Sequence, residues 1–583
     1  MQFEINKNIS AIFNGMSAMY KYLGGDNRFR ALAYGKAAKV IDSLMDDIKV
    51  YAANNILEEL PGIGEGIADK IEEYIKTGTI KKYEELKKIV PLELMGMLDI
   101  AGFGPQSLKR IHDELKINTK GNLINALHNG SIAKIKGFGQ KKVNNMLRGL
   151  KLHKTIEDRM LLWDAMEAGE KILNSLNKFP EVRQAAVAGS LRRKKETIGD
   201  IDILIACDDK HRSKLVNYIS RADFVKQILA KGDTKVSILL KENSRQVDLR
   251  IVNQDEWGSA LLYFTGSKEH NIHLRTIAKE KEYKISEYGI FKIENGEKLT
   301  GNTEEEIYNT LGFQFIPPEM REDHGEIELA SKNKIPKLIS IKDIKGDLQM
   351  HSNWSDGINS IEEIANHIRK NFSYQYIVLT DHSKSSRIAN GMDEKQILEQ
   401  VKAIELVNKN IGRSFVKSGL EVDILEDGTL DISDEILSQL DWVTASIHSN
   451  FKGDNTERIV KACQNQYMCC IGHPTGRLIG TREPYIIDME KIALAAQKTN
   501  TALEINAQPT RMDLNEDLVK IARKKGVKFV ISSDSHSLSN FEFMPLGVDV
   551  ARRAWCTAND ILNTTRWEEV KQFKEQKLKV THY

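Results

Sequence analysis

The sequence predicts a multidomain α/β chain with a helical front, an α+β middle and a distorted β/α barrel at the rear. Three observations carry this. At 583 residues the chain exceeds the roughly 250 to 300 that one core serves, and 41% apolar content is enough to pack several cores. Helical patterns alternate with short glycine turns up to about residue 155, whereas from residue 342 runs of β-forming residues ending in His, Asp or Glu alternate with helical patterns. Between them, Gly199-Asp200-Ile201-Asp202 and Gln246-Val247-Asp248-Leu249-Arg250-Ile251 read as strands that could run side by side.

The front is punctuated by Leu60-Pro61-Gly62-Ile63-Gly64-Glu65-Gly66, by Ile100-Ala101-Gly102-Phe103-Gly104-Pro105 and by Ile135-Lys136-Gly137-Phe138-Gly139-Gln140. A single copy would read as an ordinary helix connection with a glycine cap. Three copies, each with an apolar residue between the glycines, look like helix-hairpin-helix motifs. Their backbone N–H groups at a helix N-terminus can hold a DNA phosphate without reading a base, which makes Gly62, Gly64, Gly66, Gly102, Gly104, Gly137 and Gly139 candidate DNA contacts.

In the middle, Asp200 and Asp202 stand at i and i+2 on a strand and so point the same way, where they can share one divalent ion. The preceding Gly189-Ser190-Leu191-Arg192-Arg193 turn lets N–H groups approach a phosphate, with arginines to neutralise it. Asp248 on the second strand would complete a three-carboxylate, two-metal phosphoryl-transfer centre. This whole pattern, Gly-Ser-x-Arg-Arg-x-x-Glu-x-x-Gly-Asp-x-Asp, closely resembles the palm signature of the family X DNA polymerases, the nucleotidyltransferase group that includes DNA polymerase beta.

The resemblance implies two Mg²⁺ ions, with Mn²⁺ as a substitute, bridged by Asp200 and Asp202, and with Asp248 on the primer-side ion. It implies that Gly189, Ser190, Arg193 and Gly199 hold the triphosphate. Lys231 and Lys235, in Lys231-Gly232-Asp233-Thr234-Lys235, resemble the family's contact to the primer strand; on their own they are solvated lysines of a hairpin turn. Leu262-Tyr263-Phe264-Thr265-Gly266-Ser267 resembles the turn that runs beneath the incoming sugar, so Tyr263, Phe264 and Gly266 are implied nucleotide contacts. Asn271 and Arg275, one and two turns later, would probe the minor-groove side of the new pair, testing its shape rather than its identity. Lys70 matches the lysine that forms a Schiff base with abasic deoxyribose phosphate, and Tyr34 its supporting tyrosine. A second lysine of that pocket is replaced by Gly66, so Lys70 is either a lyase nucleophile or a solvated helix lysine beside a phosphate.

At the rear, Gln349-Met350-His351, Ser355-Asp356-Gly357, Thr380-Asp381-His382, Leu420-Glu421-Val422-Asp423, Ile447-His448, Gly472-His473 and Asp534-Ser535-His536 close successive β-forming runs. Side chains collected at consecutive strand ends are how a β/α barrel builds a site. Nitrogen and oxygen ligands without cysteine suit Zn, Mn or Fe. The set resembles the polymerase and histidinol phosphatase (PHP) domain that bacterial and archaeal family X members carry, a trinuclear phosphoesterase giving 3′–5′ exonuclease and sometimes abasic-site cleavage. The implied ligands are His351, Asp356, His382, Glu421, His448, His473, Asp534 and His536. One position departs: the family's first motif is commonly His-x-His and here reads Gln349-Met350-His351. An amide oxygen is the weaker ligand, so two or three ions are expected. Arg477 and Arg511 either steer the DNA end or cover the rim.

The expected units are 1–90 (lyase-like, with the first hairpin), 91–155 (further hairpins), 156–260 (palm), 261–320 (thumb-like), 321–341 (charged linker) and 342–583 (PHP-type barrel). Residues 1–318 carry 49 Lys+Arg against 43 Asp+Glu and the remainder 35 against 39, or +6 and −4, a mild fit to DNA at the front and cations at the back. Five cysteines without metal-ligand spacing suggest a reduced cytoplasmic setting, and no leader pattern or run of 18 apolar residues is present, so a soluble chain without export or membrane partner is expected. The expectation is thus a monomeric, gap-filling DNA polymerase of DNA repair that uses dNTPs and gapped DNA, with a linked 3′-end nuclease. The alternative is a metal-dependent phosphoesterase whose polymerase half only docks DNA; the acidic triad argues against it.

Overall fold

The computed structural model describes residues 4–44, 46–98, 100, 102–157 and 159–581. The front is helical from Glu4–Leu23 and Arg28–Ser43 through to Gln140–Glu157, and one buried cluster from Ile9 and Phe13 to Val143 and Met146 holds it together. Each glycine turn is built alike. Gly62, Gly102 and Gly137 adopt left-handed φ of 81°, 96° and 83°, which only glycine tolerates without strain. The apolar residues that follow, Ile63, Phe103 and Phe138, are buried and pin the turn to the core, and Gly64 and Gly104 are the N-caps of the helices Glu65–Thr77 and Pro105–Leu115. A Cβ on Gly64, Gly66, Gly104 or Gly139 would meet open space. These glycines leave the backbone approachable from outside. Ala101 of the second turn lies outside the described residues.

The middle unit carries a five-stranded sheet in the order Gln184–Val187, Ile201–Ala206, Gln246–Val252, Lys235–Leu240, Val225–Lys231. Ile201–Ala206 and Gln246–Val252 run parallel, and that register sets Asp202 directly opposite Asp248. Alternation does the rest: Ile201, Ile203 and Ile205 enter the core, and Asp202 faces the other side. Next come the helices Trp257–Thr265 and Lys268–Glu280 and a three-stranded antiparallel sheet, Tyr283–Ser286, Gly289–Lys292 and Lys298–Thr300. Of residues 321–341, charged enough to read as a connecting linker, 321–330 are instead largely packed, while 331–334 and 337 are exposed. The helix Glu326–Ser331 buries Ile327 and Ala330, and two of the segment's charges pair in the interior, Glu326 with His270 at 2.7 Å and Arg321 with Glu304.

The rear is a seven-stranded parallel sheet in strict chain order, Gly346–Asp347, Tyr376–Leu379, Val416–Asp423, Trp442–Ser446, Cys470–Ile471, Ala502–Asn506 and Phe529–Ser532. A bridge between Met350 and Ser535 nearly closes it into a barrel. The last helix, Trp567–Thr581, packs Val570 and Phe573 against strand starts such as Tyr376, Trp442 and Ala502. The opposite, C-terminal mouth is left for chemistry. Barrel and middle unit meet through Arg552–Glu319 at 2.8 Å, Arg477–Glu196 at 2.7 Å and an edge-to-face Trp163–Phe543 pair. Among the described residues no helix is long and apolar enough to cross a membrane, and the five cysteines are free and buried.

Candidate active sites

The first site lies on the middle sheet. Asp200, Asp202 and Asp248 bring carboxylate oxygens within 4.8 Å of one another. Burial, and then the charges of Asp200 and Asp248, push the Asp202 carboxyl up to about 7. Burial would also raise Asp248, but bonds from Lys235, Ser237 and Gln246 outweigh it and hold that carboxyl below the ordinary range. Three acids this close, with the carboxyl of Asp202 raised first by burial and then by its two neighbours, fit divalent cations. Lys235, expected at the primer strand, stands with Nζ 2.7 Å from Asp248 Oδ2 as its counter-charge.

The phosphate turn sits against these acids. Ala188 N–H donates to the Asp202 carbonyl at 2.8 Å, and Gly189 follows at φ 59°. A Cβ there would stand 2.1 Å from Asp202 Oδ2, so only glycine lets the turn approach the carboxylate this closely. A cavity of about 470 Å³ opens beside it, lined by Ser190, Arg193, Lys195, Gly199 and Asp200 on one side and by Glu516 of the barrel on the other. Arg193 donates from Nε to Glu322 at 3.1 Å and from Nη1 to the Thr265 carbonyl.

The other nucleotide-side residues follow the turn that ends Trp257–Thr265. Gly266 caps that helix at φ 71°, and Ser267 Oγ accepts from His270 N–H to start the next. Asn271 Nδ2 donates to the Tyr263 carbonyl at 2.7 Å, and Arg275 Nε to the Asn271 carbonyl at 3.2 Å, so the three form one chain. Tyr263 and Phe264 pack edge to face. Lys231 lies apart from the acids on the outer hairpin, its Nζ bonded to Asn217.

The second site fills the barrel's C-terminal mouth. Glu421, wholly buried, is its centre: its oxygens lie 3.5 Å from His351 Nε2, 3.1 Å from His382 Nδ1, 3.5 Å from His448 Nε2 and 3.0 Å from His473 Nε2. Asp534 Oδ1 stands 3.1 Å from His351 Nε2, and Asp356 Oδ1 is 3.4 Å from His536 Nε2 and 3.7 Å from His382 Nε2. Two groups converge tightly enough for an ion each: His351, Asp356, His382 and His536, and His382, Glu421 and His448.

The donors themselves argue for cations. His351 Nδ1 and His473 Nδ1 are buried without hydrogen-bond partners, each a cost of about 1 to 3 kcal/mol that coordination or an ordered water would remove. Burial would raise Glu421, yet His382 and His448 hold its carboxyl well below the usual range. His448, against the pull of burial, is raised to about 10 by Glu421 and Asp423. Outer partners fix the set: Asp423 on His448 Nδ1 at 3.0 Å, Ser446 on Glu421, Glu504 on the His473 N–H and Asn506 on Asp534. Gln349 is buried here with Nε2 unpartnered. Arg511 lies 3.6 Å from Asp534, while Arg477 turns away to Glu196 and to backbone carbonyls.

A third cavity, about 810 Å³, lies in the front unit and is lined by Tyr20, Arg30, Tyr34, Gly64, Gly66, Lys70, Lys81 and Lys82. Lys70 Nζ donates to the Gly66 carbonyl at 2.7 Å. Tyr34 stacks on Tyr20, and burial pushes its phenol well up.

Sequence reasoning missed the residues that join units: Glu322, Glu516 and Arg553. Each is an ordinary charged residue locally, and its partners are far along the chain.

Comparison with known proteins follows the same division. Residues 4–80 match the family described as helix-hairpin-helix domain, 163–254 DNA polymerase beta palm and 260–322 DNA polymerase beta thumb. The chain is 38% identical over 560 residues to the DNA polymerase/3′-5′ exonuclease PolX of Bacillus subtilis (strain 168), covering 95% of this chain and 97% of that one. It is 26% identical over 352 residues to the DNA polymerase lambda of Arabidopsis thaliana and 26% over 324 residues to that of Rattus norvegicus. Those two alignments span 62% and 53% of the relatives' own length.

Proposed function

The chain belongs to the family X DNA polymerases, and on that premise we propose that it fills short gaps in DNA during repair and trims 3′ ends with its barrel. The observation that carries this is the convergence of Asp200, Asp202 and Asp248 beside the Gly189-Ser190 turn. Asp200, Asp202 and Asp248 would hold the divalent ions, Mg²⁺ or Mn²⁺, which when bound would acidify the primer 3′-hydroxyl and neutralise the leaving pyrophosphate. The Gly189 backbone, Ser190 and Arg193 hold the triphosphate, with Gly199 leaving room for it. The turn through Tyr263, Phe264 and Gly266 lies under the sugar, and Asn271 and Arg275 face the minor-groove edge of the nascent pair. Lys231 touches the primer backbone. Lys235 neutralises Asp248 until the ions take over that charge.

Upstream and downstream, the turns at Gly62, Gly64 and Gly66, at Gly102 and Gly104, and at Gly137 and Gly139 grip phosphates, so affinity is insensitive to sequence and weakens with salt. Lys70 would supply the amine for an abasic sugar, or else a cation beside a DNA phosphate. In the barrel, His351, Asp356, His382, Glu421, His448, His473, Asp534 and His536 would hold two or three Zn, Mn or Fe ions, which would supply the charge and the water activation for phosphodiester cleavage. Arg511 meets the phosphate. The working form is a cytoplasmic monomer.

The experiment compares extension and degradation on one gapped duplex. Asp202→Ala should lose synthesis and keep digestion, and His382→Ala the reverse. Loss of both activities in either variant contradicts two separate sites.

A further inference from the structure

Arg553 ends the barrel helix Met544–Arg553, is 3% exposed, and reaches out of the barrel into the phosphate turn of the middle unit. Its Nη1 donates to the Arg193 carbonyl at 2.6 Å and to Glu322 Oε1 at 3.1 Å. Its Nε and Nη2 hold Glu516 Oε1 at 3.2 and 2.7 Å. Glu322 also accepts from Arg193 Nε, and Lys195 Nζ lies 3.4 Å from Glu322 and 3.7 Å from Glu516. Two partly buried acids are therefore shared among three cations, Arg193, Lys195 and Arg553.

Two physical consequences follow from this sharing. A guanidinium bonded to the Arg193 carbonyl fixes the backbone from which the Arg193 side chain projects, and a pre-oriented clamp binds without ordering cost. Arg553 also occupies Glu322 and Glu516. Without it both acids have only Arg193 and Lys195 to pair with, and would compete there with a triphosphate.

We propose that Arg553 is a positioning residue for nucleotide addition, through which the barrel sets how tightly the palm takes a nucleoside triphosphate. This rests on the reading of Arg193 as a triphosphate contact. The barrel docks independently through Arg477–Glu196, Arg552–Glu319 and Trp163–Phe543, so loss of Arg553 does not by itself undock it.

The test measures single-nucleotide gap filling against dNTP concentration for full-length wild type, Arg553→Ala, Arg553→Lys, Arg193→Ala and the Arg193→Ala/Arg553→Ala pair. Arg553→Ala should raise KM for dNTP roughly tenfold with kcat within about threefold, leaving DNA affinity and 3′–5′ digestion as in wild type. Arg553→Lys keeps the charge but cannot make the forked contacts, and should recover less than half of that loss; it also decides the matter if the alanine variant fails to fold. The double variant should be no worse than Arg193→Ala alone. A wild-type KM in Arg553→Ala, or in Arg553→Lys where only that variant folds, overturns the proposal. So do effects that multiply in the double variant. A wild-type KM in Arg193→Ala instead removes the Arg193 assignment on which the proposal stands.

Discussion

Asp202 and Asp248 face each other across adjacent parallel strands, in the register that also pairs Ile201 with Val247 and Ile203 with Leu249. The apolar neighbours lock the register, because slipping one strand by a residue would turn every core isoleucine to the other face. Core packing thus sets the distance between two acids that repel.

Gly189 tests how closely the phosphate turn must approach that pair. Gly189→Ala puts a methyl group 2.1 Å from Asp202 Oδ2 at a backbone φ of 59°. Nucleotide addition should fall by about a hundredfold or more while 3′–5′ digestion persists. Parallel primer-extension and digestion assays check this.

Glu304 makes a pH-dependent stability prediction. Buried at 4% exposure and clamped by Arg321 and Arg192, it has its carboxyl lowered to about 2 from 4.5: burial opposes the shift, and the two arginines prevail. That gap is worth about 3 kcal/mol, present in full above pH 4.5 and lost as pH falls towards 2. Glu304→Gln should therefore be destabilised at pH 7, by less than half as much at pH 3, and approach wild type only near pH 2, as followed by urea unfolding across that range.

Gln349 bears on the ion count in the barrel. Its amide is buried with Nε2 unpartnered, two residues before His351 in the chain. Gln349→His should raise bound metal by about one ion per chain. Mass spectrometric metal analysis of both purified proteins gives the answer, independent of nuclease rate.

Gly66 bears on Lys70. A side chain at 66 meets open space, and Lys70 Nζ now leans on the Gly66 carbonyl. Gly66→Lys should raise borohydride trapping of an abasic 5′-phosphate substrate several-fold, and Lys70→Ala should abolish what trapping there is. The added lysine also gains about 0.5 to 1 kcal/mol of helix propensity over glycine.

Local spacing made much of this legible. The Asp200/Asp202 spacing, the repeated glycine turns and the histidines at strand ends are short-range patterns, although Asp200 sits in the bend just before the strand Ile201–Ala206 rather than on it. Pairing between distant segments left no such trace. Lys235 reads as a hairpin lysine at DNA, but strand pairing sets Ser237 opposite Asp248 and brings the Lys235 ammonium onto that carboxylate. Residues 321–341 read as a linker because charge usually means solvent, yet Arg321, Glu322 and Glu326 find buried partners in Glu304, Arg553 and His270. Arg477 and Arg511 look equivalent on the rim, and only the fold turns one to Glu196 and the other to Asp534.

The most direct measurement is gap filling by Asp248→Ala, made alongside DNA binding by the same protein. With Mg²⁺ and saturating dNTP, addition should disappear while affinity for the gapped duplex stays within about twofold of wild type. Addition at near wild-type rate would mean that these three carboxylates do not form the centre of nucleotide transfer.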